Sequence, residues 1–395
     1  MSAMVTLRGM AWDHPRARDP LRAISTAWTK DSGVAVEWDA RPLKDFEDQP
    51  LEELATKYDL VLVDYPFMGV AAASGLIVPV NDWVDAAYLA DQAMHSVGPS
   101  YASYTWNGKQ WALAIDAACQ VSAVREDLWH GADLRELPET WVEVAGVATD
   151  RRSAASQVAI PLNPNHAYCA FLSVGVTLAG PEFWTAGRGV DQAAGIEALE
   201  FLRRIAANLH PCSRTHDPIG VSNRMADTDE IVYVPLMFGY SSYARRGFQS
   251  RLLRFGNAPR GAGGVIGSVL GGVGMALSSQ SAHRDAAAGL ARLIGSGPTQ
   301  SGLYARSGGQ PGHAAAWESP EVNQLSGEFF KSTWLTMEHA FLRPRVPGHR
   351  AFQPRAGELV HQFIWTGALT ARACLAGFEK LAASLMPDWT GRMAG

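Results

Sequence analysis

The sequence lacks the features that mark several large protein classes. It has only 4 cysteines in 395 residues, and none forms a CxxC pair, so neither a zinc knuckle nor a disulfide framework is predicted. No HExxH, no GxSxG and no glycine-rich loop ending in GK[ST] occurs. These are common signatures of zinc proteases, serine hydrolases and P-loop proteins. We therefore predict no cofactor.

Strong charge of one sign and long apolar runs are also missing. The net charge is −5 and no basic cluster exceeds a few residues, so neither nucleic acid nor an anionic membrane is the expected partner. The sequence has no uninterrupted run of about 18 apolar residues, so membrane insertion is not predicted. The start, MSAMVTLRGMAWDHP, has no basic region, apolar run or A-x-A site of a signal peptide. As it stands, the sequence predicts a cytoplasmic protein, or a periplasmic or extracellular one if an export signal was removed.

The composition favours a large, well-packed protein. Hydrophobic residues make up 47% of the chain and charged residues 18%, and this length suits two lobes of roughly 150–200 residues each. The 13 tryptophans and 10 tyrosines either pack the core or line a ring-binding cleft. We expect a monomer.

The N-terminal third alternates strands with helices. Strands are predicted at Val5–Trp12, Val34–Trp38 and Leu60–Val63, which indicates a doubly wound α/β sheet. Ligands of such sheets bind beyond the carboxyl ends of the strands. Those ends carry Trp12, Asp13 and His14, and then Asp64 and Tyr65. The alternative is that the aspartates and His14 only cap helices and turns.

A glycine-rich segment, Gly264–Ser281, precedes an amphipathic helix. Its Gly271-Gly272 pair removes side chains where the backbone passes close to a ligand or to another strand. The hairpin signal Asn107-Gly108 lies shortly before Asp116 and Cys119. A second loop, Gly308–His313, contains Gln310.

The order of these three segments resembles family 1 extracellular solute-binding proteins, the substrate-binding proteins of ABC transporters. The resemblance implies a type II periplasmic-binding-protein fold, which is α/β, with two lobes, a hinged cleft between them and a helical C-terminal region. Lobe I would comprise residues 1–118 and 265–312, and lobe II residues 119–264 and 313–395. Two departures are that Asp116 stands near the usual proline and that Val124-Arg125 replaces the usual Tyr-Asn.

The resemblance also implies an aromatic residue that stacks on the ligand at a strand end of lobe II, where Phe238 and Tyr240 lie. His166 follows another predicted strand of that lobe. The candidate ligand-binding residues are Trp12, Asp13, His14, Asp64, Tyr65, Asp116, His166, Phe238, Tyr240, Gly271, Gly272 and Gln310.

Two further chemistries stay open as alternatives. His210, Cys212 and His216 have the spacing H-x-C-x3-H and could hold zinc, although we predict no metal. Cys119 is either a nucleophile or, more in keeping with its apolar neighbours, a buried small hydrophobe.

Two functions compete. The first is a solute-binding protein that closes two lobes around a small polar ligand, carbohydrate-like or another polar metabolite, for ABC-type uptake or sensing. Its candidate partner is the permease of an ABC transporter. The alternative is a cytoplasmic enzyme on the same fold that uses Asp and His residues as acid and base.

Overall fold

The computed structural model describes residues 5–42, 50–129, 137–149 and 157–390. The chain forms two compact units. Unit 1 comprises residues 1–118 and 271–326, and unit 2 comprises residues 119–270 and 327–395. The chain therefore passes between the units three times. The division predicted from the sequence places the second and third passages after residues 264 and 312.

The strands of the described residues are β1 Thr6–Trp12, β2 Ala35–Arg41, β3 Leu60–Asp64, β4 Ile77–Val78, β5 Thr105–Trp106, β6 Lys109–Gln110, β7 Leu113–Val124, β8 Gln157–Val158, β9 Trp184–Thr185, β10 Gly189–Val190, β11 Ile231–Phe238, β12 Arg254–Gly256 and β13 Leu270–Ser278.

The α-helices of the described residues are α1 Pro15–Ser32, α2 Leu51–Lys57, α3 Met68–Ser74, α4 Ala86–His95, α5 Ser100–Ser103, α6 Trp141–Thr149, α7 Pro164–Ala179, α8 Gln192–Ala206, α9 Pro218–Asp227, α10 Arg284–Gly295, α11 Gly297–Thr299, α12 Ala314–Glu318, α13 Pro320–Leu325, α14 Phe329–Glu338, α15 His349–Thr366, α16 Ala371–Leu385 and α17 Pro387–Thr390.

Unit 1 is built on a mixed sheet. Strand β1 pairs in parallel with β2 and β3, and β13 pairs antiparallel with β3 and β4. The apolar strand β3 is buried over Leu60–Val63, as expected for a strand with elements on both faces. Helix α1 begins at Pro15, after the cap His14, and ends before Gly33 in the left-handed conformation. Proline at a helix start and glycine after its end are the favoured residues there.

Unit 2 contains a second mixed sheet. The C-terminal part of β7 pairs antiparallel with β11 and β12, and β11 pairs in parallel with β8. The register between β11 and β7 shifts between Val234 and Met237. Pro235 lies in that interval and has no N–H to donate to the ladder, which accounts for the irregularity.

The glycine-rich segment before β13 approaches helix α7 and strand β7 within unit 2. A Cβ at Gly267 would lie 1.9 Å from the carbonyl oxygen of Ser173. The Ser173 hydroxyl accepts from Val269 N–H at 2.9 Å, and the Ser268 hydroxyl donates to the Gln120 carbonyl at 2.7 Å. The glycines are therefore required because backbone approaches backbone.

The C-terminal helices complete unit 2 around a cluster of aromatic side chains. Helix α15 packs on α7, α8 and α16. Trp184 and Phe352 contact Phe378 at ring-centroid distances of 5.1 and 5.0 Å, and Phe171 contacts the same ring at 5.4 Å. Most of the tyrosines and about half of the tryptophans are also buried, so core packing accounts for much of the aromatic content noted in the sequence. None of the helices within the described ranges combines the length and apolar character that a membrane span requires.

Candidate functional site

The carboxyl end of β1 carries the first predicted group, Trp12, Asp13 and His14. Trp12 is buried. Asp13 is exposed, and its carboxylate forms an ion pair with Arg18 at 2.7 Å. The Asp13 N–H donates to the Arg41 carbonyl of β2 at 2.6 Å, so the sheet fixes the position of this backbone. Asp13 is thus the accessible polar side chain at this strand end.

His14 acts as a helix cap. Its Nδ1 accepts from the Arg16 N–H at 3.1 Å, so the ring proton resides on Nε2. Burial, with the nearby charges of Arg16 and Arg18, lowers the pKa of His14 to about 3. A neutral imidazole with so low a pKa is a weak base at neutral pH, which removes the main argument for His14 as a general base.

The carboxyl end of β3 carries Asp64 and Tyr65. Asp64 is partly exposed, and its Oδ1 accepts from the Tyr65 N–H at 2.9 Å at the start of a short 3₁₀ helix. Tyr65 is fully buried, and its ring meets Tyr104 edge to face at 6.5 Å. Asp64 therefore both caps a turn and presents a carboxylate at the strand end.

Asp116 lies inside unit 1, bound to Arg16. The Arg16 Nε donates to Asp116 Oδ2 at 2.8 Å, and a terminal guanidinium nitrogen pairs with Oδ1. Burial raises the pKa of Asp116 and the Arg16 guanidinium opposes that rise. The guanidinium keeps its proton, and its two contacts favour the ionised form of the carboxylate. Since both carboxylate oxygens are engaged, we do not retain Asp116 as a ligand contact.

Sequence reasoning did not single out Arg16, which lies in an ordinary amphipathic pattern. Its partner is 100 residues away, and no local spacing signals such a pair. The usable signal was Asp116 itself, the one charged residue in a mostly apolar strand, which requires a cation if it is buried.

Gly272 and Gln310 hold strands and loops together in unit 1. Gly272 has φ +109°, and a Cβ there would lie 2.4 Å from the Asp116 carbonyl oxygen. Gly271 precedes it at the start of β13. Gln310 is buried and donates from Nε2 to the Ala117 carbonyl at 2.8 Å. Gly272 thus permits the approach of another strand, which is one of the two roles predicted for the pair.

Unit 2 brings His166 and Phe238 together. Their rings meet at 6.0 Å and 78°. His166 Nδ1 lies 3.0 Å from Asn163 Oδ1. An amide oxygen only accepts, so Nδ1 donates and Nε2 is left as an acceptor. Burial lowers the pKa of His166 to about 4. Phe238 is partly exposed at the end of β11, and Tyr240 follows with little exposure.

A polar chain missed by sequence reasoning lies beside His166. Gln353 donates from Nε2 to Asn165 Oδ1 at 2.5 Å, and its Oε1 accepts from Arg343 at 2.9 Å. Arg343 is buried, and its charge contributes to the lowered pKa of His166. These residues come from α7, α15 and the loop before α15, so only the tertiary structure joins them.

The two alternative chemistries find little support in the geometry. His210 Nδ1 accepts from the Cys212 N–H at 3.2 Å, and His216 Nδ1 contacts the Thr215 hydroxyl at 3.1 Å. His210, Cys212 and His216 are not among the described side chains that cluster as metal ligands. Burial raises the pKa of Cys119 to about 12, so its thiol is a poor nucleophile. The four cysteines are all free and buried.

Comparison with known proteins adds structural matches along nearly the whole chain. Maltose-bound MalE3 of T. maritima matches with a TM-score of 0.83 at 17% identity, over 96% of this chain and 100% of that one. The chain has the fold of a periplasmic solute-binding protein. This confirms the predicted α/β architecture and its helical C-terminal region.

Two further structures match equally broadly. An ABC transporter solute-binding protein of Thermotoga lettingae TMO, bound with α-D-tagatose, has a TM-score of 0.80 at 17% identity over 96% and 100% of the two chains. One from Agrobacterium radiobacter K84, in complex with ribitol, has a TM-score of 0.80 at 19% identity over 97% and 99%. No protein-family model matches this sequence. No curated protein is significantly similar to it in sequence.

Proposed function

We propose that this chain is a solute-binding protein for a carbohydrate or polyol and delivers its ligand to an ABC transporter. The observation that carries the proposal is the full-length structural match to three proteins whose bound ligands are maltose, tagatose and ribitol. Maltose and tagatose are sugars and ribitol is a sugar alcohol, so all three present rows of hydroxyl groups. The expected partner is the transporter's permease.

In unit 1, the carboxylates of Asp13 and Asp64 are the proposed contacts, because each lies at the carboxyl end of a strand of the sheet and is at least partly exposed. Ionised carboxylates accept hydrogen bonds from ligand hydroxyls, and such charge-assisted bonds are stronger than neutral ones. Asp13 would exchange part of its ion pair with Arg18 for these bonds.

In unit 2, the proposed contacts are Phe238, Tyr240 and His166. Aromatic rings offer flat apolar faces to the C–H surfaces of sugar rings. The Nε2 of His166 is an acceptor, since Nδ1 donates to Asn163. Binding sites of this kind combine apolar faces with a few fixed polar groups.

The enzyme alternative is weaker because His14, its best candidate base, is a neutral helix cap. The Asp64 carboxylate could serve either function, as a ligand contact or as a catalytic acid or base. A ligand that binds tightly and is recovered unchanged after long incubation supports the binding protein, whereas turnover of the bound compound supports the enzyme.

Calorimetric titration of the purified chain with maltose, maltotriose, tagatose and ribitol tests the proposal. We expect saturable binding of at least one of them. Asp64→Asn keeps the cap, since asparagine caps as well as aspartate. It removes a charge-assisted bond worth about 1.5–3 kcal/mol, so affinity falls roughly ten- to hundredfold.

Asp85→Asn is the matched control for this variant. Asp85 also caps a helix of unit 1, with its Oδ1 accepting from the Tyr88 N–H at 2.8 Å, and it is exposed. We expect its ligand affinity to equal that of the parent chain. Absence of binding to every sugar and polyol tested would contradict the proposed function, and equal affinity of Asp64→Asn and Asp85→Asn would remove Asp64 from the site.

A further inference from the structure

Three side chains that can ligate metal meet in unit 1, and none of them is among the residues proposed to contact the sugar or polyol. Asp91 and His95 lie four residues apart near the end of α4, so their side chains share one face of the helix. His313 immediately precedes α12. One ligand atom from each of the three lies within 4.8 Å of the other two.

The backbone brings His313 to this helix face. Ser96 and His313 form an isolated antiparallel bridge, and the Val97 N–H donates to the Gly312 carbonyl at 2.9 Å. The adjacent Gly297 leaves room for the imidazole, because a Cβ there would lie 2.8 Å from a ring carbon of His313. The cluster is thus a product of the fold rather than of one flexible loop.

Within the cluster, the carboxylate of Asp91 lies between two imidazoles. His95 Nδ1 is 2.8 Å from Asp91 Oδ1, and His313 Nε2 is 3.5 Å from Asp91 Oδ2. The two rings stack at a centroid distance of 5.4 Å. His313 is only 5% exposed, and within the part of the chain that the structure describes its buried Nε2 has no partner at good hydrogen-bond geometry beyond this long contact with Asp91. Buried polar nitrogens are normally hydrogen-bonded, so this long contact leaves Nε2 available to a closer partner.

We propose that Asp91, His95 and His313 bind a divalent transition-metal ion, with zinc as the best fit. Two imidazoles and one carboxylate form a common zinc ligand set, in which water takes the fourth position. The harder ions magnesium and calcium prefer oxygen ligands. Asp91 and His95 are about half exposed, so an ion can enter from solvent.

Metal binding requires two local adjustments. His313 Nδ1 accepts from the Ala315 N–H at 3.2 Å, which places the ring proton on Nε2. Ligation through Nε2 moves that proton to Nδ1 and breaks this cap. The exposed side chains of Asp91 and His95 must also move closer to His313. These costs predict a binding site of moderate affinity.

The bound ion would cross-link α4 to the loop that precedes α12. The same loop holds Gln310, which bonds the Ala117 carbonyl, and Gly312, whose N–H donates to Gln300. Zinc would therefore stabilise unit 1 by linking segments that are distant in sequence, and the folded state would gain stability with zinc concentration.

Titration of the metal-free, untagged full chain with zinc chloride tests the proposal, with calorimetry and thermal unfolding as readouts. We expect one zinc ion per chain and a higher unfolding temperature with zinc. His95→Gln and Asp91→Asn should each weaken zinc binding at least roughly tenfold. Both sites are half exposed, so these variants are expected to fold. His313→Gln should weaken zinc binding in the same way, provided that circular dichroism shows that this buried variant folds.

The matched control is His283→Gln, because His283 is an exposed histidine of unit 1 outside the cluster. We expect it to bind zinc as the parent chain does. The proposal is overturned if the parent chain binds no zinc, or if His95→Gln and Asp91→Asn bind it as tightly as His283→Gln. Sugar binding measured on the same preparations separates this result from the test of the proposed function.

Discussion

At the scale of single residues, unit 1 and unit 2 each bury an arginine, and the two guanidinium groups find their charged and hydrogen-bonding partners in different ways. Arg16 is paired with Asp116, and both side chains are almost fully buried. Arg125 is fully buried, but its partners Asp127 and Asp229 are mostly exposed. Arg125 also donates to the Thr228 carbonyl at 2.8 Å. Breaking a pair costs most where neither partner can reach water.

Asp116→Asn should therefore destabilise the protein strongly. The substitution leaves the Arg16 guanidinium buried without a counter-charge, and loss of one partner of a buried pair costs about 3–5 kcal/mol. The measurement is urea unfolding at neutral pH. The control is Asp13→Asn, which loses the exposed ion pair with Arg18 and should cost less than about 1 kcal/mol.

A double variant, Arg16→Met with Asp116→Leu, should regain most of the loss, because an apolar pair of similar volume replaces the ions. If Asp116→Asn is as stable as Asp13→Asn, the carboxylate is protonated or solvated in the native state and the pairing described above is incorrect.

At the scale of elements, close contact between backbones explains several glycines. Gly272 in β13 meets the carbonyl of Asp116 in β7. Gly267 meets the C-terminal half of α7, where the Thr177 hydroxyl accepts from its N–H at 3.0 Å. Gly9 in β1 lies under the indole of Trp38 in β2, with 2.3 Å to a ring carbon for a Cβ. The nearest atom belongs to the backbone at Gly272 and Gly267 and to a side chain at Gly9.

Gly272→Ala is expected to destabilise the protein more than a typical glycine substitution. The positive φ of +109° costs an L-residue roughly 1–3 kcal/mol, and the overlap with the Asp116 carbonyl adds to it, since the obstacle is backbone and cannot rotate away. Chemical denaturation gives the free energy of unfolding.

Gly263→Ala serves as the reference for that measurement. Among the described residues, a Cβ at Gly263 would have no atom within 4 Å beyond its chain neighbours, so we expect a change within about 0.5 kcal/mol. Equal stability of the two variants would show that β13 and β7 can separate at little cost.

At the scale of the whole molecule, each unit is assembled from two stretches of chain. In unit 1, β1, β2 and β3 come from residues 1–118, whereas β13 comes from the second stretch and pairs with β3 from Leu277 opposite Leu60 to Val273 opposite Asp64. Without the second stretch, that edge of the apolar strand β3 has no partner. Exposed apolar edges favour aggregation.

A fragment of residues 1–118 should therefore not unfold cooperatively. A fusion of residues 1–118 to residues 271–326 through a short Gly/Ser linker should unfold cooperatively, because it restores β13 and the loop that bonds Ala117. The linker can be short, since a Cβ at Gly272 would lie 2.9 Å from the Ala117 Cα. Far-UV circular dichroism during urea unfolding distinguishes the two. A sharp transition for the fragment alone, or none for the fusion, would contradict the assignment of unit 1.

The sequence alone determined the local elements, because their causes lie within a few residues. Asn107-Gly108 forms the turn between β5 and β6, with φ of 49° and 73°. Pro15 and Gly33 bound α1. Asp64 stands at a strand end as predicted, since a run of buried apolar residues marks the strand that precedes it. The alternation of such elements predicted the α/β sheet, and the resemblance to solute-binding proteins supplied the two-lobed fold.

Tertiary structure alone decided which polar residues meet. It paired Asp116 with Arg16, 100 residues away. It joined Gln353 to Asn165, 188 residues apart, and brought His313 to Asp91. Periodicity reports which face of an element is buried, whereas the partner of a buried charge depends on how distant segments pack. The sequence therefore shows where strands end, and only the folded chain shows which of their side chains remain accessible to a ligand.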